Sequence, residues 1–234
     1  MTLLLLACTA ADPDNPADSG LVEADADTDA DTDTDTDTDV EPVDCLPDFG
    51  MASGAQWVYS WRNSSRTGNY IVDAIGFSAD DQTATLRAES AWSDAGGAAT
   101  FTGTKDTHYW CDAQGLYVTG FSYSYSGQTS GNAYSGDYSV AYDEPALLVP
   151  LVIAEGGSWI TTFVGTKTED GYDSDIDSTS TSEVMATGVV WSGGHASSEI
   201  KITDDATGNF TTFWWGDGVG LVADISVQLV SYSE

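Results

Sequence analysis

The sequence predicts an all-β protein: a curved antiparallel sheet or open barrel built from two similar halves, preceded by a disordered acidic tether. Three observations carry this. Apolar residues recur at every second position through much of residues 45–234, which is strand periodicity. Glycine, asparagine and aspartate interrupt those runs at short intervals. One frame, Trp-x-Asp-x-x-Gly-Leu, occurs twice, at 110–116 and at 215–221.

The chain opens with MTLLLLAC over residues 1–8. Leu5-Leu6-Ala7-Cys8 resembles the lipobox of bacterial lipoproteins, in which a leucine and a small residue precede an invariant cysteine. In that family the thiol receives a diacylglyceryl group and the cysteine becomes the first residue after cleavage. The resemblance therefore implies lipidation at Cys8, export, and a lipid anchor in the cell envelope. Several acyl chains hold stably, since each buried methylene contributes about 0.8 kcal/mol. Thr9 stands where an aspartate would signal inner-membrane retention in the enterobacterial sorting rule, which points to the outer membrane. No Lys or Arg precedes the run Leu3–Ala7, and a secretory signal uses about 7–15 apolar residues. A truncated leader is the expected reason; an ordinary cysteine behind a short apolar stretch is the alternative.

Residues 9–44 form an Asp/Thr-rich spacer, with aspartate at every second position from Asp25 to Asp39. Repelling carboxylates without large apolar residues leave nothing to build a core from, so disorder is expected. A flexible chain of this length averages about 30–35 Å end to end, and repulsion extends it. No cofactor is expected. Weak Ca2+ association with the acidic segments is the most the pattern offers, because it lacks the glycine turn and ligand spacing of an EF-hand loop.

Charge narrows the partners. The formal net charge is −32, and the six bases (Arg62, Arg66, Arg87, Lys105, Lys167, Lys201) all follow residue 48, leaving −17 over residues 49–234. Nucleic acid and anionic lipid surfaces would be repelled. The three cysteines are Cys8, Cys45 and Cys111. With Cys8 lipidated, an oxidising compartment leaves Cys45 and Cys111 for one disulfide. Two buried thiols or an intermolecular bridge are the alternatives.

Residues 45–234 are expected to form one β domain with half-repeats at about 50–143 and 150–234. Gly54-x-x-Trp57 matches Gly156-x-x-Trp159. The spacing from Trp57 to Trp110 is 53 residues, and from Trp159 to Trp215 it is 56. Strands are expected at 56–62, 70–77, 83–90, 121–127, 159–166, 182–191, 197–204 and 221–232, the last placing Leu221, Ala223, Ile225, Val227 and Leu229 on one face. Breaks are expected at 94–97, 126–136, 170–177 and 204–209, and the segment 144–157 is expected to join the halves. In each motif copy the Trp (Trp110, Trp215) should cap the core, Asp112 or Asp217 should form the turn, and Gly115-Leu116 or Gly220-Leu221 should start the next strand. Cys111 is expected to stitch the end of the tether to the first copy. Gly216 fills that place in the second, where no tether is expected to arrive.

ALLVPLVIAEGGSW (146–159) and FWWGDGVGLVAD (213–224) resemble a widespread class of uncharacterised bacterial lipoprotein domains with a Leu/Pro-rich segment, Gly-x-x-Trp and a late Gly-Val-Gly-Leu-Val strand start. That class looks related to the lipoprotein-carrier open barrels, whose curved sheet offers a concave apolar face. The resemblance implies an envelope protein, and the absence of a helical lid segment argues against lipoprotein carriage itself.

Catalytic chemistry is not legible. There is no Gly-x-Ser-x-Gly elbow, and His108 and His195 lie far apart. No enzyme activity is expected. The remaining candidate is aromatic: Phe121, Tyr123 and Tyr125 form a stripe that would either pack in the core, line a ligand face or meet a partner. The expected function is a membrane-anchored, non-catalytic binding or structural module holding an apolar ligand, with a glycan-binding module as the alternative and an unrecognised hydrolase as a third. Glycan, lipid or an envelope protein are the partner classes, and oligomeric state is left open.

Overall fold

The computed structural model describes residues 44–62, 66–191 and 194–233. Cys8 and all but the last residue of the 9–44 spacer lie outside the described residues. Twelve strands follow one another: β1 (Gln56–Trp61), β2 (Arg66–Ser78), β3 (Thr83–Asp94), β4 (Ala99–Cys111), β5 (Gly115–Thr129), β6 (Asn132–Pro150), β7 (Ser158–Glu169), β8 (Tyr172–Val190), β9 (Ala196–Asp204), β10 (Phe210–Gly216), β11 (Gly220–Asp224) and β12 (Val227–Ser233). Each pairs antiparallel with its predecessor, and β1 pairs with β12. The curved sheet therefore closes on itself, and a meander barrel leaves no free sheet edge to protect.

The two motif copies occupy matching strand positions. Trp57 and Trp159 are second residues of β1 and β7; Trp110 and Trp215 are next to last in β4 and β10; Gly115-Leu116 opens β5 and Gly220-Leu221 opens β11. Six strands separate each pair, and the expected half boundaries fall near the β6–β7 connection.

Three expected segments are corrected. Residues 126–136 are not a long break: β5 and β6 meet at Ser130-Gly131, both with left-handed backbone (φ 49° and 83°). Residues 170–177 reduce likewise to Asp170-Gly171 (φ 53° and 80°), and Asp173, Asp175 and Asp177 lie on β8. Two-residue hairpins with positive φ match the right-handed twist of the strands, so a two-residue Ser-Gly or Asp-Gly signal suffices. The run 221–232 is two strands rather than one. Asp224 Oδ1 accepts from the backbone N–H of Ser226 (2.5 Å) and Val227 (2.8 Å), and the chain turns there, leaving Ile225 exposed.

Parity fixes what faces inward. Ala84, Leu86, Ala88 and Ser90 on β3 register with Tyr109, Thr107, Lys105 and Gly103 on β4, and these with Val118, Phe121, Tyr123 and Tyr125 on β5. The alternate residues face out and are polar: Thr100, Thr102 and Thr104 on β4, Ser122, Ser124 and Ser126 on β5, Asp173, Asp175 and Asp177 on β8.

One end of the barrel is plugged by its own N-terminal segment. Cys45, Leu46, Phe49 and Met51 are buried in one cluster with Leu116, Val149, Ile200, Phe213 and Trp215. A single 3-10 turn, Pro47–Phe49, closes on Gly50. Cys45 and Cys111 are joined by a disulfide, Cα to Cα 6.1 Å. The opposite end, made by the β3–β4, β5–β6 and β7–β8 turns, carries no such plug among the described residues. The wall is uneven: β11 has 5 residues and β1 has 6, whereas β6 and β8 have 19 each.

The join between the halves is short. β6 pairs with β7 only from Tyr138 to Tyr142, opposite Gly165 to Glu169. Beyond that β6 contains Pro145 and Pro150, which have no N–H to donate to a ladder. Close approach at the join depends on Gly165, where an added Cβ would lie 2.1 Å from the Ala141 carbonyl oxygen and 2.8 Å from Tyr142 Cα. Gly165→Ala is expected to destabilise by about 1–3 kcal/mol in urea unfolding, since backbone must move to admit the methyl; unchanged stability would contradict this pairing.

Candidate ligand-binding site

The repeated frame is structural, and its two copies differ in detail. In the first, Asp112 Oδ1 accepts from the N–H groups of Gln114 (2.8 Å) and Gly115 (3.2 Å), an Asx-type turn. Gly115 is required by proximity: a Cβ would lie 2.3 Å from the Val149 carbonyl oxygen. In the second, the turn closes backbone to backbone, Val219 N–H to Gly216 C=O (3.2 Å), and Gly220 adopts φ 81°. The expected core-capping role holds for Trp215, which packs against Phe49 and Phe213. It fails for Trp110. Tyr109 and Cys111 face the core, so Trp110 faces outward and packs on Tyr117, ring centroids 5.0 Å apart.

The expectation that the tether's end meets only the first copy is also corrected. The plug docks on both: through Cys45–Cys111 on the first, and through Gly218 N–H to Asp48 C=O (2.9 Å) on the second. Trp57 Nε1–H donates to Val219 C=O (2.6 Å), and the Tyr232 hydroxyl donates to Gly50 C=O (2.9 Å), locking β1 and β12 to the same corner. Gly216 is small because a Cβ there would lie 2.8 Å from Val222 Cγ2.

The aromatic stripe faces the barrel interior. Phe121, Tyr123 and Tyr125 share the inner face of β5, and neighbouring strands extend the row with Trp92, Phe101, Tyr134 and Tyr138. Trp92–Phe101, Phe101–Tyr125 and Tyr125–Tyr123 are near-parallel pairs, with centroids 5.7, 6.4 and 5.3 Å apart. Tyr138 meets Phe121 and Tyr123 edge-on. Several rings lie over glycines of the adjacent strand: the Tyr125 ring occupies the space where a Cβ of Gly136 would stand, and Tyr134 does so at Gly127. Missing side chains on one strand thus make room for flat rings from the next. Tyr123 is 8% exposed, while Trp92, Phe121, Tyr125 and Tyr138 keep partial solvent access from the unplugged end.

Two lysines share this interior. Lys105 Nζ lies 4.0 Å from the Phe121 ring centroid, and Lys167 Nζ lies 4.8 Å from that of Tyr138 and 2.7 Å from Glu169 Oε2. Cation–π attraction strengthens with desolvation. Burial lowers the Lys105 ammonium to a pKa of about 8. The same burial raises Tyr123 and Tyr138, and pushes Tyr109 up to about 12, so these phenols stay neutral donors. Sequence reading placed the stripe residues but missed Trp92, Phe101, Tyr134, Tyr138 and both lysines. Parity in ATFTGTKDTHYWC, with Phe101, Lys105, Tyr109 and Cys111 on one face, carried the signal.

A second feature lies at the β4–β5–β6 tip. A cleft of about 630 Å³ is lined by Thr100, Thr102, Ser126, Gln128, Ala133 and Ser135 on the outward parity, with Phe101, Gly127 and Tyr134 of the inward row at its edge. Among the described residues no group of His, Cys, Asp or Glu is placed to hold a metal ion. Fold and site together define a closed meander barrel, plugged at one end and aromatic within. Comparison of the chain with protein-family models, with curated proteins and with solved structures finds no match.

Proposed function

We propose that the protein is an exported, lipid-anchored envelope lipoprotein whose barrel is a non-catalytic binding module, holding an apolar ligand in its unplugged end. The observation that carries this is the inward placement of Phe121, Tyr123 and Tyr125 among Trp92, Phe101, Tyr134 and Tyr138. A stripe that stacked on an extended surface would face outward; this one faces the barrel interior. The chain enters the barrel at the plugged end, so a tether anchored at Cys8 would join the barrel opposite its aromatic end.

The uncharged fluorophore N-phenyl-1-naphthylamine tests the reading. It is expected to bind the protein with a rise in emission, and Tyr125→Ala is expected to weaken binding roughly fivefold through loss of one ring contact. Thr102→Val, on the opposite face, is expected to leave it unchanged. No binding, or equal effects of both substitutions, would refute the reading. For the anchor, metabolic labelling with a palmitate analogue is expected to mark the protein and to be abolished by Cys8→Ala; persistent labelling would refute Cys8.

The cleft favours a second reading, a glycan-binding module. Hydroxyls and an amide beside the rings of Phe101 and the partly exposed Tyr134 suit a neutral saccharide, whose apolar face can stack while its hydroxyls take hydrogen bonds. A glycan array would support this reading if binding were lost on Tyr134→Ala or Thr102→Val.

A further inference from the structure

We infer that the barrel interior recognises an anionic amphiphile, with Lys105 taking its oxyanion group and the rings from Tyr123 to Trp92 seating its apolar body. This rests on the interior binding reading above and adds the charge of the ligand. Most of the six bases have evident polar partners. Arg87 is paired in bidentate fashion with Asp106, Lys167 with Glu169 and Lys201 with Glu183, while Arg62 donates to the Asp224 carbonyl. Arg66 lies over Trp92, 4.3 Å from its centroid.

Lys105 differs. Register places it between Ala88 on β3 and Tyr123 on β5, and among the described residues it has neither a carboxylate nor a hydrogen-bond partner, only the Phe121 ring. An ammonium turned into a barrel without a counter-charge is unfavourable until an anion completes it.

The groups that face it are few. β3 carries Asp94 on the same parity, six residues beyond Ala88, β4 itself carries Tyr109, β5 offers Tyr123 and Tyr125, and β6 offers Tyr138. From β7 come Lys167 and Glu169, already paired with each other. On neighbouring β3 and on its own strand, Arg87 and Asp106 face outward and pair together. An incoming oxyanion therefore finds one ammonium without a counter-charge, while the Lys167–Glu169 pair adds no net charge. Phe101 lies four residues along β4, about 13 Å, with Tyr125 and Trp92 beside it, so an extended apolar chain has rings to lie on. The acids of the outer face point away, and salt screens them beyond about 8 Å.

Calorimetry at pH 7 with decyl sulfate, decanoate and decan-1-ol, each below micellar concentration, tests this on the wild type, Lys105→Met and Lys105→Arg. Both anions are expected to bind the wild type at least tenfold more tightly than the alcohol. Lys105→Met should remove that preference while leaving decan-1-ol binding intact. Lys105→Arg should keep it. Raising the pH to 9.5 should weaken decyl sulfate binding to the wild type roughly tenfold, because the ammonium deprotonates near pH 8, and should spare the Arg variant. Equal binding of all three probes, or an anion preference that survives in Lys105→Met, would overturn the charge inference while leaving an interior site. Absence of binding by any probe would overturn both. Decyl sulfate binding without decanoate binding would assign the site to a sulfate- or phosphate-like group; the reverse would assign it to a carboxylate.

Discussion

Replacing both bridge cysteines, Cys45→Ala with Cys111→Ala, is expected to cost about 4 kcal/mol of stability. The bridge closes a 66-residue separation, and in the chain-entropy account a loop of that size restrains the unfolded chain by about 4 kcal/mol. Native packing is otherwise kept, because alanine introduces no polar group into a site where Cys45 and Cys111 are fully buried. The same change loosens the plug. Leu46 and Phe49 would be held only by their burial and by bonds such as Gly218 N–H to Asp48 C=O. Trp215, edge-on to Phe49 at 6.2 Å, is the local reporter. Urea unfolding followed by tryptophan emission is therefore expected to show a lower midpoint and a changed native baseline. A loss below 1 kcal/mol would mean that the plug is held without the bridge.

Lys105→Met is expected to stabilise the protein at neutral pH, by up to roughly 3 kcal/mol. The folded-state pKa of about 8 lies below the ordinary 10.5, a difference worth roughly 3 kcal/mol at most. The sign follows from proton counting. Between pH 8 and 10.5 the unfolded chain holds a proton on this amine that the folded chain has lost, so stability rises with pH across that window. Below pH 8 both states are protonated and the folded state bears the whole penalty. Above about pH 10 the buried phenols act in the opposite sense: Tyr59, Tyr70 and Tyr109 ionise in the unfolded chain while burial keeps them neutral in the fold. The wild-type-minus-Met difference cancels that contribution. It is expected to be largest near pH 7 and to shrink toward pH 10; a difference that is flat with pH would place Lys105 in water.

Much of the architecture is readable from the chain because alternation and turn chemistry are local. Strand character and the turn at Asp112 follow from near neighbours in sequence, and the pairing of Cys45 with Cys111 follows from the cysteine count with Cys8 set aside. What is not readable is which parity of each strand faces inward. Trp110 lies between the inward Tyr109 and Cys111, whereas Trp215 shares its face with the inward Phe213, and nothing in Trp-x-Asp-x-x-Gly-Leu marks that difference. The stretches 126–136 and 170–177 looked like loops because Gly and Asp are abundant there. In fact Gly127 and Gly136 seat aromatic rings of the adjacent strand, only Ser130-Gly131 and Asp170-Gly171 make the turns, and Asp173, Asp175 and Asp177 cover an outer face. The interior site escaped for the same reason. Lys105 is recognisable as inward only once Phe101, Tyr109 and Cys111 are known to face the core.

The most direct test of an interior ligand site is an amide NMR titration with N-phenyl-1-naphthylamine. Shift changes are expected to concentrate at Lys105, Phe121, Tyr123, Tyr125 and Tyr138, on the inner faces of β4, β5 and β6. Changes confined instead to Thr100, Thr102, Ser126, Gln128 and Ser135 would contradict the account and move the binding site to the outer cleft.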